Sequence, residues 1–168
     1  MEEVRIYCEN TEAYHTVTMG STLKELARNV CQEDKNRILA ALVDNKLTSL
    51  DYKVINPNNV RFLDYGHPDG RRTYVRSLCF VLQKVVRAMF PDKVLAIDYS
   101  LPSGLYCEIR EIVPMEDGRP KVYFATDAEI EEIEARMRKV VEADIPFSKQ
   151  MVSRAEAAEL FVRNHQPE

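Results

Sequence analysis

The sequence has no tryptophan, only five glycines and three histidines, and four cysteines, none of them in a CxxC pair. Each scarcity excludes something. Gly20, Gly66, Gly70, Gly104 and Gly118 open neither a GxxxxGK[ST] loop nor a GxGxxG turn, so the backbone cradle that phosphates need is missing, and with it a self-contained nucleotide kinase or dinucleotide enzyme. No Cys/His pair has zinc-ligand spacing, and His15, His67 and His165 lie far apart, so surface placement without a metal role is expected. Cys8, Cys31, Cys79 and Cys107 each sit in an apolar-periodic context and read as reduced core residues. No stretch approaches the roughly 18 apolar residues of a membrane-spanning helix. The acidic opening MEEVRIYCEN lacks the layout of a secretory signal, so a cytoplasmic protein is expected.

What is present is the balance of an ordinary globular protein. There are 168 residues, 45% of them hydrophobic, with 23 basic and 27 acidic side chains and a net charge of -4. Residues 1–64 carry 8 basic and 10 acidic groups, so acid is not concentrated in either half. This balance does not advertise binding of nucleic acid over the whole surface, and DNA is not an expected partner. The length allows one domain or two small ones.

EVRIYC (3–8) alternates polar and apolar residues and AYHTVT (13–18) follows after Asn10, which reads as a β-hairpin. Thr22 and Glu25 fit a capping box, and Leu23, Leu26, Ala27 and Val30 then fall at helical spacing. ILAALVD (38–44), the turn at Asn45-Lys46, LTSLD and VRFLD (60–64) complete a small ββαββ roll over residues 1–64. YGHPDGRR (65–72) holds Gly66, Pro68 and Gly70 and reads as a linker.

A second domain is expected over 73–168. Val75, Leu78, Cys79, Leu82, Val85, Val86 and Met89 repeat at three- and four-residue steps, which predicts a long amphipathic helix over 73–90, stopped by Pro91. KVLAIDY, a turn at Leu101–Gly104 and LYCEIREI predict a hairpin, and Asp117-Gly118 a further turn before KVYFA. Thr126 and Glu129 form a second capping box ahead of a helix bearing Ile130, Ile133, Met137, Val140 and Val141. FSKQMV (147–152) reads as a short strand and Ser153 as the cap of a last helix bearing Ala157, Leu160 and Phe161. Residues 160–168 are expected to fray. The fold class is α+β.

Little in this sequence reads as catalytic. Ser103 and Ser153 are better explained as turn and cap residues than as nucleophiles. The acids Asp127, Glu129, Glu131, Glu132 and Glu134 suit the start of a helix, where they complement its dipole. Neither catalytic nor metal-ligating residues are assigned. The basic run is more informative: between Arg71 and Arg87 lie Arg71, Arg72, Arg76, Lys84 and Arg87 and no acid. Arg72, Arg76, Lys84 and Arg87 are spaced to share one helix flank that would take RNA or a nucleotide phosphate, or serve only as the wet side of the helix. Tyr74 and Phe80 lie near it as candidates for stacking on a base, with Phe80 equally open to a core reading.

The roll containing TLKELARN and ALVDNKLTSLDY resembles the TGS domain, the ubiquitin-like β-grasp module of threonyl-tRNA synthetases, certain GTPases and stringent-response proteins. The long helix ending in AMFP, the hairpin AIDYSLPSGLYCEI, the helix DAEIEEIEARMRKVVEADIPF and VSRAEAAELF look like the beginning of the threonyl-tRNA synthetase editing domain. In that family the long helix carries a His-x-x-x-His pair for deacylation, and the matching positions here are Arg76 and Phe80. The family's later Cys/His element would fall beyond residue 168, so the resemblance does not extend to editing. Bacterial uridine kinase-like proteins, with a TGS and a synthetase-like domain ahead of a P-loop kinase domain, are similar in this respect. That resemblance implies a non-catalytic accessory region, itself without cofactor, binding RNA, a nucleotide or a downstream kinase domain that would use ATP and Mg. The alternative it leaves open is a tRNA- or RNA-binding module of a threonyl-tRNA synthetase-like protein with a degenerate editing site.

Overall fold

A computed structural model describes residues 2–31, 37–102, 104–112, 119 and 121–163. The expected turn at Asp117-Gly118, together with Ser103, His165 and the last five residues, lies outside them. Two compact units divide the chain, Met1–Leu78 and Cys79–Glu168. The elements are mixed α+β throughout.

In the first unit β1 (Glu3–Cys8) and β2 (Ala13–Thr18) form the expected antiparallel hairpin, with Val4, Ile6 and Cys8 turned into the core. Helix α1 (Leu23–Val30) starts at Thr22, whose hydroxyl accepts from the Glu25 N–H while the Glu25 carboxylate accepts from the Thr22 N–H, and it buries Leu23, Leu26 and Ala27. After α1 come three strands instead of the two expected: β3 (Ala40–Val43), β4 (Lys46–Thr48) and β5 (Asn59–Leu63). Asp44 and Asn45, both at positive φ, make the two-residue turn between β3 and β4. The sheet order is β2-β1-β5-β3-β4, with β1 and β5 parallel. This is a β-grasp: eleven buried residues from β1, α1, β3, β5 and Val54 form its core.

Helix α2 (Pro68–Met89) begins five residues before the expected start, so most of the segment read as a linker is helical. Proline suits a first helical position because its missing N–H would be unpaired there anyway. The His67 carbonyl accepts from the Arg71 N–H at 2.9 Å and its ring Nδ1 accepts from the Asp69 N–H at 3.2 Å, so His67, half-buried, caps the helix. Gly70 misleads as a linker signal. A Cβ there would stand 1.8 Å from the Asp64 carbonyl oxygen, so glycine is needed for close approach of the helix to its own unit, with no flexibility implied. Helix α2 crosses the division between the two units at Leu78 and Cys79.

The second unit holds β6 (Lys93–Leu101), β7 (Gly104–Glu111) and β8 (Val122–Tyr123) in an antiparallel sheet. Val86, Phe90 and Ile109 are its buried cluster, with Leu82, Met89, Leu95, Tyr123, Ala125 and Ile133 packed around them. Helix α3 (Asp127–Glu142) is capped by Thr126 and Glu129 as expected, and α4 (Arg154–Arg163) by the reciprocal bonds of Ser153 and Glu156. Two expectations fail here, the strand over 147–152 and a core place for Cys107. Residues 147–152 form no strand, because no neighbouring strand pairs with them. The last helix carries Leu160 and Phe161 as expected, both exposed, and is described to Arg163; the rest of the end expected to fray, residues 164–168, lies outside the described residues. Cys107 is exposed, two residues nearer the hairpin tip than the covered Ile109. Desolvation by the atoms packed beside it, with Cys79 and Asp98 adding to it, nevertheless raises its thiol pKa, which disfavours the thiolate.

Candidate functional site

The cationic run expected to contact an anion lies on α2, and the two halves of that helix can be described separately. In the first unit an α-helix turns roughly 100° per residue, so Arg72 and Arg76 share a flank while Arg71 stands a quarter-turn away. The Arg71 guanidinium lies 5.6 Å from the centroid of the Tyr65 ring, and Tyr74 packs edge-on against the same ring at 5.3 Å. Tyr74 is therefore not a stacking residue of the Arg72/Arg76 flank, as was expected, but a partner of Tyr65 on another side. Arg72 reaches Asp69 Oδ1 at 3.2 Å, an exposed pair worth little in water. Arg76 is exposed and has no ion-pair partner among the described residues. Thr73 and Ser77 donate to the carbonyls four residues back, so their hydroxyls are internally satisfied.

In the second unit Phe80, Lys84 and Arg87 follow at steps of four and three and share one flank. All three are exposed. Phe80 is 65% exposed, which excludes the core reading. Its buried neighbours on the same helix, Val81, Val85 and Val86, face the other way. The residue that sequence reasoning missed is Phe147: its ring centre lies 6.1 Å from that of Phe80 in an edge-to-face arrangement, and it is itself 67% exposed. Phe147 follows the end of α3, where Asp144 turns the chain at φ 46°. An apolar residue in the strand expected over 147–152 gave no hint of a helix partner.

The hairpin of this unit carries a second polar cluster that the sequence did not announce. Tyr99 and Tyr106 stack with centroids 4.7 Å apart. The Tyr106 hydroxyl donates to Glu108 Oε1 at 2.8 Å and Arg110 Nε to Glu108 Oε2 at 2.8 Å, while Arg110 Nη2 bonds Asp98. These bonds hold the Glu108 carboxyl below its ordinary range, the Tyr106 bond foremost, and raise the Tyr106 phenol. Every charged member is paired within the hairpin, so the cluster is accounted for by its own hydrogen bonds.

In the first unit an open cleft of about 780 Å³ is bordered by Asn10, Thr11, Cys31, Arg61, Asp64 and His67. Asn10 is already satisfied within the cleft wall, donating to the Phe62 carbonyl and accepting from the Phe62 N–H. Among the described residues no three His, Cys, Asp or Glu side chains converge as metal ligands, and no helix is long and apolar enough to cross a membrane.

No family model matches the chain. Curated relatives do. It is 31% identical over 143 residues, 85% of its length, to a threonine–tRNA ligase of Desulforamulus reducens. It is 27% identical over 84% of its length to a threonine–tRNA ligase of Symbiobacterium thermophilum, and 26% identical over 95% to one of Carboxydothermus hydrogenoformans. The matched regions amount to 21%, 20% and 22% of those proteins, so the chain spans about a fifth of the length of its relatives. A solved chain, the crystal structure of ATBAG1 in complex with HSP70, aligns over 98% of this chain and 92% of its own length at 10% identity. Its TM-score of 0.33 is too low to carry an argument. The nucleoside-kinase reading draws no support from these relatives: the chain resembles part of threonine–tRNA ligases over most of its length.

Proposed function

We propose that this chain is a tRNA- or RNA-binding module of a threonyl-tRNA synthetase-like protein, working in the cytoplasm, with a degenerate editing site. The observation that carries this reading is the helix α2 run Arg71–Arg87, which holds five cations and no acid, with Arg72, Arg76, Lys84 and Arg87 all exposed. Phosphates are recognised by such cations at little cost in sequence specificity, and the released counterions make the binding salt-dependent. The similarity to threonine–tRNA ligases over 85% of the chain supports RNA as the polyanion. At the positions that would carry the deacylating histidines stand Arg76 and Phe80. Neither is a proton-transfer group at neutral pH, since a guanidinium stays charged and phenylalanine has no proton to give. The module therefore binds and does not hydrolyse.

The test is retention of tRNA by the 168-residue chain across a salt series. Arg72→Glu/Arg76→Glu and Lys84→Glu/Arg87→Glu are each expected to weaken binding, and each lost phosphate contact to lower the slope of log affinity against log salt by about one. Unchanged retention by both double variants overturns the reading. Deacylation of mischarged tRNA is expected to stay at the buffer rate.

A further inference from the structure

The second unit adds to the cations something a charged helix does not need: two phenylalanines in contact with each other and open to solvent. Exposed aromatic pairs are costly in water, since each ring leaves apolar surface uncovered. Phe80 and Phe147 come from elements far apart in the sequence and meet at 6.1 Å, edge to face. The stretch that delivers Phe147 is otherwise poorly anchored: from Val141 to Val162 every described residue except Ala157 is exposed. Along α2, Lys84 lies one turn beyond Phe80, about 6 Å up the axis, and Arg87 a further turn on the same flank. The pair thus sits at one end of a cationic strip in its own unit.

Resting on the RNA reading above, we propose that Phe80 and Phe147 form a stacking platform for an unpaired base, with Lys84 and Arg87 contacting the adjoining phosphates, so that this unit selects single-stranded RNA over duplex. The charge complementarity of the strip favours a polyanion. The open aromatic surface favours one that can present a base face. In an A-form duplex the bases are stacked on one another and their faces are not offered, whereas loops and ends can splay a base onto an aromatic side chain.

The absence of tryptophan makes a direct test available. Phe147→Trp introduces a single tryptophan at the platform. Its emission is expected to be quenched when a single-stranded oligoadenylate of about ten nucleotides is titrated onto the full chain, and to change far less with the same strand in duplex with its complement. In this background Phe80→Leu is expected to weaken single-strand binding by roughly 5- to 150-fold, the effect of losing one base stack, without changing the salt slope. Phe80→Tyr, which keeps an aromatic face, is expected to restore both binding and quenching, and so separates lost stacking from lost folding. Salt-dependent binding of the single strand by anisotropy without quenching, or equal affinity for strand and duplex, overturns the platform and leaves the RNA reading standing. No binding of either at low salt overturns both.

Discussion

The two units spend comparable lengths of chain very differently. The first gathers eleven buried residues in one cluster around α1 and the β-grasp sheet. The second gathers three, and of the 22 large apolar side chains exposed among the described residues 15 belong to it, among them Phe124, Met151 and Val162. Burial of apolar surface is the main favourable term in folding, so the first unit has the means of standing alone and the second is the weaker body. The difference also says where to look for binding. A tight core leaves little apolar surface to offer, whereas a sparsely covered sheet and helix pair presents it.

That contrast can be broken most sharply in the cores. Leu26→Ala empties a fully packed site and is expected to cost about 2 to 5 kcal/mol, while Ile109→Ala, at the margin of a small cluster, falls at the lower end of that range. Chemical denaturation with site-specific amide exchange reads both. If the two units lost equal stability, the contrast in core quality would be wrong. Gly70→Ala comes next, expected to destabilise by about 1 to 3 kcal/mol because the added Cβ meets the Asp64 carbonyl and the start of α2 has to shift. A neutral outcome in the same melt would show that the contact is not tight.

The caps give a like-for-like comparison between units, since Thr22/Glu25 and Thr126/Glu129 make the same reciprocal bonds. Thr22→Ala and Thr126→Ala are each expected to cost about 1 kcal/mol. Both glutamates have lowered pKa values, Glu25 mainly through the Thr22 backbone N–H, and Glu129 mainly through the Thr126 backbone N–H with the Tyr123 hydroxyl second. A carboxyl whose folded pKa lies below its unfolded one contributes stability above the unfolded value near 4.5, and that stability is lost as pH falls through the folded value. Denaturation midpoints are thus expected to drop below about pH 4.5 in the parent. Glu25→Gln and Glu129→Gln should flatten that acid limb, and an unchanged limb would remove the carboxylates from the account. Smallest of all, Arg136→Ala breaks an exposed pair with Glu132 at 2.6 Å and is expected to cost at most about 0.5 kcal/mol.

Much of the fold was legible in the residues. Strict alternation in EVRIYC gave β1 and its inward set, and the two Thr-x-x-Glu boxes gave the starts of α1 and α3, because both signals are local. Where the reading failed, a distant contact had decided. Gly70 and Pro68 look like a linker until Asp64 is placed against the helix. Residues 147–152 have the composition of a strand, but a strand needs a partner and they pair with none of the described strands. Cys107 alternates into the apolar set of β7 and is exposed because the hairpin runs beyond its cover.

The candidate site divides in the same way. The cations of α2 and their spacing were present in the sequence, as was the lack of acids among them. That Arg71 and Tyr74 turn to Tyr65, away from Arg72 and Arg76, follows from helix geometry but needed the Tyr65 ring in place to be seen. The meeting of Phe80 with Phe147 had no sequence signal at all, because 66 residues separate them and only the return of the chain after α3 joins them. Period, caps and charge are properties of neighbours along the chain, so the sequence by itself determined the helices, the strand faces and the cationic run. Aromatic pairing, close backbone approach and exposure depend on segments remote in sequence, and those only the tertiary structure decided.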